Sequence, residues 1–432
     1  MKLFQKLLVA GSALSLIAPI GLQASEINLD EMNSYAPKKS SSKKQFNSRS
    51  FANEEFVTSK ESWEKIDSGT NEFEAGSFSS TTTMDGSASF VMGAKNNDKE
   101  YDATSSGALM THYAYDINLN TSFNGDDNLY VGFVAGNTSS MYEVIVDNSN
   151  IVLNDDVLSV DSIFYSFPYG KWDFAVGPKL DQNDLVATTT SKYSDKFYLG
   201  AIYPNNVWTL PGLSGAGFSA ARQFDNGFNF GANILAIEGS TTDGIFTKEG
   251  ADLKTIMVGY DAENYGGGVI HTKYDDIWAV GNQTAQYYLT YYGVSKLTLN
   301  STSIGAYWMP SEKLTTNFSV DIVDADIGQS ADTFTDFTVS MDYEFNDNNT
   351  LSAAMKSLSF LNTNGTADSL GDMFEIYLTH NVNDSMIIRG GIETQFPDNN
   401  VGNGTTIKNG GTGDDWVLFD QTVYALETTF KF

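Results

Sequence analysis

The chain has no cysteine, only eight prolines and only three histidines among its 432 residues. Without cysteine there can be no disulfide, no thiolate metal site and no cysteine nucleophile. After residue 24 no stretch approaches the about 18 consecutive apolar residues that a membrane-spanning helix requires. The fold must therefore be stabilised by a large hydrogen-bonded structure, and any crossing of a membrane would be made by strands.

Positive charge is also scarce. Lys and Arg total 25 against 54 Asp and Glu, so the formal net charge is −29 at pH 7. This balance excludes nucleic acid as a partner, because phosphate binding needs clustered Lys and Arg. Cations are the expected counterparts. Neither an HExxH nor a GxSxG motif occurs, and no cofactor or metal site is predicted. The sequence therefore does not predict an enzyme.

What the chain does have is glycine, aromatic residues and strict alternation. Aromatic residues make up 13% of the chain and charged residues 18%, and there are 38 glycines. Residues 109–123 alternate an apolar face with a more polar one, and the sequence Asn124–Asp127 then favours a turn. Fifteen residues is long for a strand of a globular domain but suits a tilted strand of a transmembrane barrel.

The C-terminal segment shows the same alternation most clearly. One face is mostly apolar and the other carries Glu427 and Lys431. A bilayer is a natural partner for the apolar face, although a strand of a β-sandwich can alternate in the same way. The residues predicted to act as the assembly signal of the closing strand are Tyr424, Leu426, Phe430 and Phe432.

The first 75 residues divide into two predicted segments. Residues 1–24 have a basic start, an apolar core over 7–20 and a small-residue cleavage site, which is the pattern of a secretory signal peptide. Residues 25–75 are polar and contain the basic run Pro37–Lys44, which indicates a disordered linker. The lysines belong to a solvated tether or, alternatively, contact anionic polymers of the cell envelope.

Residues 76–432 are predicted to form an all-β, antiparallel transmembrane barrel of about 16 strands. Tight turns alternate with long connections, and counting backwards from the last strand gives 16 strands with both termini on the periplasmic side. The connections 180–217 and 275–301 are too long for plain loops, so the count is uncertain by two. This segment holds 44 acidic and 16 basic residues, a balance of −28.

The alternation assigns several charged side chains to the barrel lumen. Rings of carboxylates favour permeating cations over anions, although acids on the outer rim could instead bind divalent ions beside lipopolysaccharide. The only barrel arginines, Arg222 and Arg389, are expected to offset the negative field locally, with Arg389 opposite Glu375 across a hairpin. The predicted pore-lining residues are Asp116, Asp336, Asp342, Glu344, Glu375, Arg389, Glu393 and Glu427.

The long connection after Asp181 is predicted to fold inward and constrict the pore. It contains an apolar part, residues 198–213, whose side chains need burial. In a wide barrel, a loop of this length either covers the mouth or enters the lumen, and its hydrophobic residues favour entry. The charged residues predicted for the constriction are Asp181, Asp184, Lys192, Asp195 and Lys196.

Several motifs resemble those of one family. These are residues 217–228, the hairpin sequence Tyr307–Pro310, the barrel entry 76–82, the ending 428–432 and the start 1–10. Together they are similar to cyanobacterial outer-membrane porins, relatives of the OprB-type carbohydrate-selective porins. The resemblance implies a diffusion pore and carbohydrate among its cargo. Family members generally carry an S-layer-homology domain before the barrel, which this chain lacks, so their anchoring role does not transfer.

These observations predict an outer-membrane porin that lets small hydrophilic solutes and ions diffuse passively, with a weak preference for cations. Sugars, iron or inorganic ions are candidate cargo. The expected partners are outer-membrane lipid and the barrel-assembly machinery, and the barrel is compatible with a homotrimer. One alternative is a non-conducting structural or adhesive barrel. A barrel phospholipase is a weaker alternative, since it would place Ser and His near the outer rim, whereas His380 falls at the periplasmic rim.

Replacing Phe432 with Ser should reduce insertion into the outer membrane far more than replacing Lys431 with Ser. The first change removes an apolar aromatic from the predicted lipid-facing row, and the second changes a lumen position. The measurement is the yield of heat-modifiable, folded protein in outer-membrane fractions. Equal folded yields for the two variants would contradict the assigned facing.

Overall fold

The computed structural model describes a barrel of antiparallel strands. The residues that it describes are 81–97, 108–137, 156–182, 191–193, 209, 213–237, 239–242, 244–247, 250–277, 297–326, 331–361, 367–397, 407–408, 415–416 and 421–432. The predicted signal peptide and linker, 1–75, lie outside these residues. Within them, no helix is long and apolar enough to span a membrane.

Sixteen of the described strands form the barrel, as predicted, and two short ones pair separately. In chain order the strands are β1 Thr82–Asn97, β2 Met110–Thr121, β3 Asn128–Gly136, β4 Ser159–Tyr169, β5 Trp172–Asp181, β6 Ser214–Gln223, β7 Phe228–Ala236, β8 Asp252–Asp261, β9 Tyr265–Ile277, β10 Leu297–Ser311, β11 Leu314–Asp326, β12 Ala331–Asn346, β13 Asn349–Leu361, β14 Ala367–Asn383, β15 Met386–Pro397, β16 Ile407–Lys408, β17 Asp415–Trp416 and β18 Gln421–Lys431.

The sheet closes because its first and last barrel strands pair. Ala88 of β1 lies opposite Phe430 of β18, and the register continues from Ser87 to Asn97. The two-residue strands β16 and β17 form a hairpin of their own in the connection between β15 and β18. Closure leaves no barrel strand with an unpaired edge, which is the condition for a sheet to span a bilayer.

Burial alternates along the strands as the sequence predicts. On β12, Phe337 and Val339 are exposed on the outer face, whereas Asp336 and Thr338 are buried in the interior. Successive side chains of a strand point to opposite faces, so one face of the barrel is apolar and the other polar. The molecule therefore has an apolar exterior and a hydrophilic interior.

Exposed aromatic side chains surround the end of the barrel that carries the short turns. They stand where strands enter or leave these turns, and Phe432 stacks on Tyr115 of β2 with 5.7 Å between ring centres. Such rings are favourable at a membrane interface because one end is apolar and the other tolerates water. This aromatic belt comprises Phe123, Tyr169, Phe228, Tyr265, Trp308, Phe345 and Phe432.

Asp127 organises the short turn between β2 and β3. Its carboxylate accepts hydrogen bonds from the Ser122 hydroxyl at 2.8 Å, the backbone N–H of Phe123 at 2.8 Å and that of Asn124 at 3.0 Å. The Tyr165 hydroxyl of β4 donates a fourth bond at 2.6 Å. Burial alone would raise the pKa of Asp127, but these four hydrogen bonds outweigh it and hold the pKa at about 2.

Replacing Asp127 with Ala should lower the stability of the folded barrel by about 1–3 kcal/mol at neutral pH, because it leaves several donors without their acceptor. The folded pKa lies below the unfolded value of about 3.9. The carboxylate therefore stabilises the fold above about pH 4 and loses this effect as the pH falls towards 2. Thermal unfolding in detergent across this pH range measures the difference.

Asp126→Ala is the matched control, because Asp126 is the exposed neighbour and accepts none of these four hydrogen bonds. The two variants should differ at pH 7 and converge towards pH 2. A difference that stays constant down to pH 2 would contradict the role assigned to the ionised carboxylate.

Candidate pore interior

Charged side chains concentrate on one side of the barrel interior. Asp336 and Asp342 of β12 and Glu375 of β14 are buried there, together with Glu393 of β15 and Glu427 of β18. Asp321 of β11 joins them directly opposite Asp336. Cross-strand register brings these groups together, since Glu375 lies opposite Glu393. The result is a wall of carboxylates contributed by β11, β12, β14, β15 and β18, which we call the acidic wall.

The other predicted lumen carboxylates lie apart from this group. Asp116 of β2 is half-buried and accepts a hydrogen bond from the Ser87 hydroxyl at 3.0 Å. Glu344 is exposed near the short turn that ends β12. Halfway along β6–β9 the buried polar residues are instead neutral, among them Ser219, Asn233 and Thr255. The described interior is thus electrostatically asymmetric.

Arg389 is buried inside the barrel, but its partner is not the one predicted. The register places Glu375 opposite Glu393, and Arg389 lies opposite Thr379 on β14 and opposite Glu427 on β18. Its guanidinium forms an ion pair with Glu427. The expected Glu375–Arg389 pair is wrong because β14 continues to Asn383, so that the hairpin turns later than its sequence indicated and contains a bulge.

Arg222 was expected to face the lumen and offset the negative charge there, but its side chain is on the opposite face. It lies on the same face of β6 as exposed Phe218 and Phe224, which is the outer face of the barrel. Its guanidinium carbon is 4.3 Å from the centre of the Phe224 ring. Arg222 is separated from both aromatic residues by an even number of positions, and residues so spaced on a strand face the same side. This spacing was the sequence signal for an outward side chain.

The connection between β5 and β6 reaches across the interior. In its described part, the backbone N–H of Lys192 donates to the Asn317 side chain of β11 at 2.7 Å, and the Tyr193 hydroxyl hydrogen-bonds Glu375 of β14. The Thr209 and Ser301 hydroxyls are 2.6 Å apart, which ties the connection to β10. These partners are inward-facing, so the described residues 191–193 and 209 of the connection lie within the lumen.

The charged residues predicted for a constriction are only partly described. Asp181 is half-buried at the end of β5, opposite Ser214. Lys192 extends over the Tyr307 ring, with its ammonium nitrogen 4.1 Å from the ring centre. The Tyr307 hydroxyl in turn donates to Asp261 at 2.6 Å. The remaining three, Asp184, Asp195 and Lys196, lie outside the described residues.

Buried tyrosines line the interior more extensively than sequence reasoning found. Tyr274, Tyr307 and Tyr377 are buried there, and the sequence reasoning did not find Tyr274 or Tyr307. Tyr307 lies opposite Gly266 and Tyr377 opposite Gly391, so each ring covers a position without a side chain. A Cβ atom added at Gly391 would lie 2.4 Å from the Tyr377 Cβ atom. The outward Trp308 beside Tyr307 was the available signal, since neighbouring residues face opposite sides.

The three histidines lie on three strands that are not neighbours, β2, β9 and β14. His112 is buried inside on β2, the His271 ring contacts the Thr302 hydroxyl at 2.8 Å on the outer face, and His380 contacts the Asn349 side chain at 2.9 Å near a short turn. In the described part of the chain no set of three or more His, Asp or Glu side chains could hold a metal ion.

The architecture is shared with known outer-membrane proteins. OmpT of Vibrio cholerae, in a form lacking loop L8, superposes with a TM-score of 0.56 at 10% identity, covering 82% of this chain and 99% of that one. The chain has the fold of a bacterial outer-membrane β-barrel. A trimer form of the same OmpT gives a TM-score of 0.53 at 12% identity, covering 82% and 99%.

A further similar structure is a double mutant of the Rh. blastica porin, with a TM-score of 0.49, 10% identity and coverage of 81% and 100%. No family model and no curated protein matches the chain. The fold places this protein in the bacterial outer membrane, where a closed sheet with an apolar exterior is the alternative to spanning helices.

Breaking the Arg389–Glu427 pair should destabilise the barrel strongly. Both side chains are buried, with exposures of 7% and 0%, so Arg389→Gln leaves the Glu427 carboxylate without its cationic partner, at a cost of about 3–5 kcal/mol. Glu427→Gln should also destabilise, whereas the double variant should recover part of the loss. A double-mutant cycle from thermal unfolding in detergent measures the coupling, and additive effects of the two changes would contradict the pairing.

Proposed function

We propose that this protein is a general porin that allows passive diffusion of small hydrophilic solutes and ions across the outer membrane. The observation that carries the proposal is the closed 16-stranded barrel with a polar interior. Barrels of this strand number enclose an aqueous channel, whereas barrels of about eight strands are filled by their own side chains. We propose no enzymatic activity.

The acidic wall supports a preference for cations. Among the described residues it sets several carboxylates against two buried cationic side chains, Lys356 and Arg389, and Arg389 is ion-paired with Glu427. Fixed negative charge along a narrow path lowers the energy of a cation and raises that of an anion. We include in this proposal the pore-lining role of the eight predicted residues, which are Asp116, Asp336, Asp342, Glu344, Glu375, Arg389, Glu393 and Glu427.

The inward connection between β5 and β6 is proposed to set the width of the channel. The hydrogen bonds of Tyr193 with β14 and of Thr209 with β10 support this role, because they hold the described part of the connection inside the barrel. The solutes would then pass along the space it leaves free. We include Asp181, Asp184, Lys192, Asp195 and Lys196 in the proposed constriction.

The other parts of the proposal rest on the sequence. These are a secretory signal peptide over 1–24, a polar linker over 25–75, insertion by the barrel-assembly machinery through the terminal strand, and homotrimeric assembly. Similarity to cyanobacterial relatives of OprB-type porins supports sugars as cargo beside iron and inorganic ions.

Purified protein in a planar bilayer should form open channels with weak cation selectivity, measured as the reversal potential in a salt gradient. The selectivity should decline as ionic strength rises, because the screening length is about 8 Å at 0.15 M salt and about 3 Å at 1 M. Asp321→Asn, which removes an inward charge on β11, should reduce the reversal potential further than Asp324→Asn at an outward position on the same strand.

The outcomes separate the competing functions. Anion preference at low salt would contradict the proposed cation selectivity. Equal effects of the two β11 variants would show that the acidic wall is not the cause of the selectivity. Absence of conductance from folded protein would favour the structural or adhesive alternative. Release of fatty acid from phospholipid vesicles would instead indicate the phospholipase alternative.

A further inference from the structure

A cationic side chain, Arg222, stands among aromatic side chains on the outer face of the barrel. Arg222 of β6 lies cross-strand from Phe230 of β7. Its guanidinium carbon is 4.3 Å from the ring centre of Phe224 and 5.6 Å from that of Trp172. Phe224 is two residues closer to the short turn than Arg222, so the charged group extends towards the short-turn end of the barrel.

This direction follows from the cost of an outward charge in a bilayer. An arginine on the lipid face of a barrel costs about 2–4 kcal/mol at the midplane and about 0–1 kcal/mol near the interface. Long cationic side chains therefore extend their charge to the headgroup layer. Short turns of such barrels face the periplasm, so the Arg222 guanidinium belongs in the headgroup layer of the periplasmic leaflet.

The charge around Arg222 suits an anion. Its Nε atom is buried without a hydrogen-bond partner, and no described carboxylate forms an ion pair with its guanidinium. Lys171, in the neighbouring short turn, pairs with Asp225 at 3.3 Å. An external anion would supply the missing partner.

The surface beside Arg222, towards the membrane interior, is shallow and apolar. Ala220 and Ala232 lie opposite each other on β6 and β7. Larger side chains border them, with Phe174 opposite Ala220 on β5 and Ile256 opposite Ala232 on β8. Two small methyl side chains therefore lie between a ring and a branched chain on the outer face, two residues along β6 from Arg222.

We propose that Arg222 binds the phosphate of a glycerophospholipid in the periplasmic leaflet of the outer membrane. The guanidinium, held by Phe224 and Trp172, donates charge-assisted hydrogen bonds to the phosphate oxygens, a geometry for which arginine is well suited. Lys171 adds positive potential at the periplasmic edge of the site. One acyl chain lies on Ala220 and Ala232. The site is separate from the pore and does not depend on conductance.

The test is native mass spectrometry of the folded full-length protein titrated with phosphatidylglycerol. Wild-type protein should bind at least one phosphatidylglycerol molecule, and Arg222→Gln should bind it about tenfold more weakly, which corresponds to about 1.4 kcal/mol. Arg222→Lys should be intermediate. Lys313→Gln is the matched control, because it removes the same charge from an exposed short turn between β10 and β11 and should leave binding unchanged.

Two further ligands, diacylglycerol and inorganic phosphate, identify which part of the lipid is bound. Diacylglycerol with the same acyl chains should bind more weakly than phosphatidylglycerol, and inorganic phosphate should not displace the lipid. Equal binding of phosphatidylglycerol by wild type and Arg222→Gln would overturn the proposal. So would equal binding of diacylglycerol, or displacement by inorganic phosphate, which would indicate a site for small anions.

A change of oligomeric state in Arg222→Gln with lipid binding retained would also overturn the proposal, because the face would then be a contact between copies of this chain. Heat-modifiable migration shows whether each variant is folded. If Arg222→Gln does not fold, the comparison of Arg222→Lys with wild type and the preference for phosphatidylglycerol over diacylglycerol decide the question.

Discussion

The pairing of β1 with β18 is the interaction on which the rest of the structure depends. It converts a sheet with two open edges into a closed one, so that the backbone groups of the terminal strands find partners within the barrel. In hydrocarbon an unpaired backbone N–H or C=O costs several kcal/mol, so a sheet can span a bilayer only when closed. The terminal residue takes part, because the Gly86 amide donates to the Phe432 carbonyl at 3.0 Å.

Closure also divides the side chains between two environments. The outer face meets lipid and is apolar along most of each described strand, with the aromatic belt at the short-turn end. The inner face is free to carry charge, because water and the inward connection can solvate it. This division explains why so acidic a chain can enter a membrane. Its described carboxylates stand in the lumen, at the rims and at the ends of strands, away from the apolar middle of the outer face.

The connection between β5 and β6 adds protein contacts to the interior of the barrel. Its contacts cross from β5 and β6 to β10, β11 and β14, using backbone and hydroxyl groups as well as Glu375. Those contacts join segments of the chain more than 90 residues apart. They leave the acidic wall on one side and mostly neutral polar side chains halfway along β6–β9, so the asymmetry of the interior results from the fold and not from a local motif.

Alternation in the sequence determined the strands, their number and the facing of most side chains, because a two-residue period is a local property of each strand. Phe337 faces outward and Asp336 inward for this reason alone. The pairing of β14 with β15 could not be read in the same way, since the register depends on where the turn and its bulge fall. β14 continues to Asn383, inside the segment 381–384 that was expected to form the turn.

Only the tertiary structure decided which groups meet. Arg389 faces two strands, and the sequence suggested a partner on β14, whereas the closed sheet supplied Glu427 from β18. The contact of Tyr193 with Glu375 spans 182 residues and has no local signature. Facing is set by the pleat of a single strand and is readable from the sequence. Which side chains contact each other depends on the register between strands that are distant in the chain. Closure of the whole sheet fixes that register.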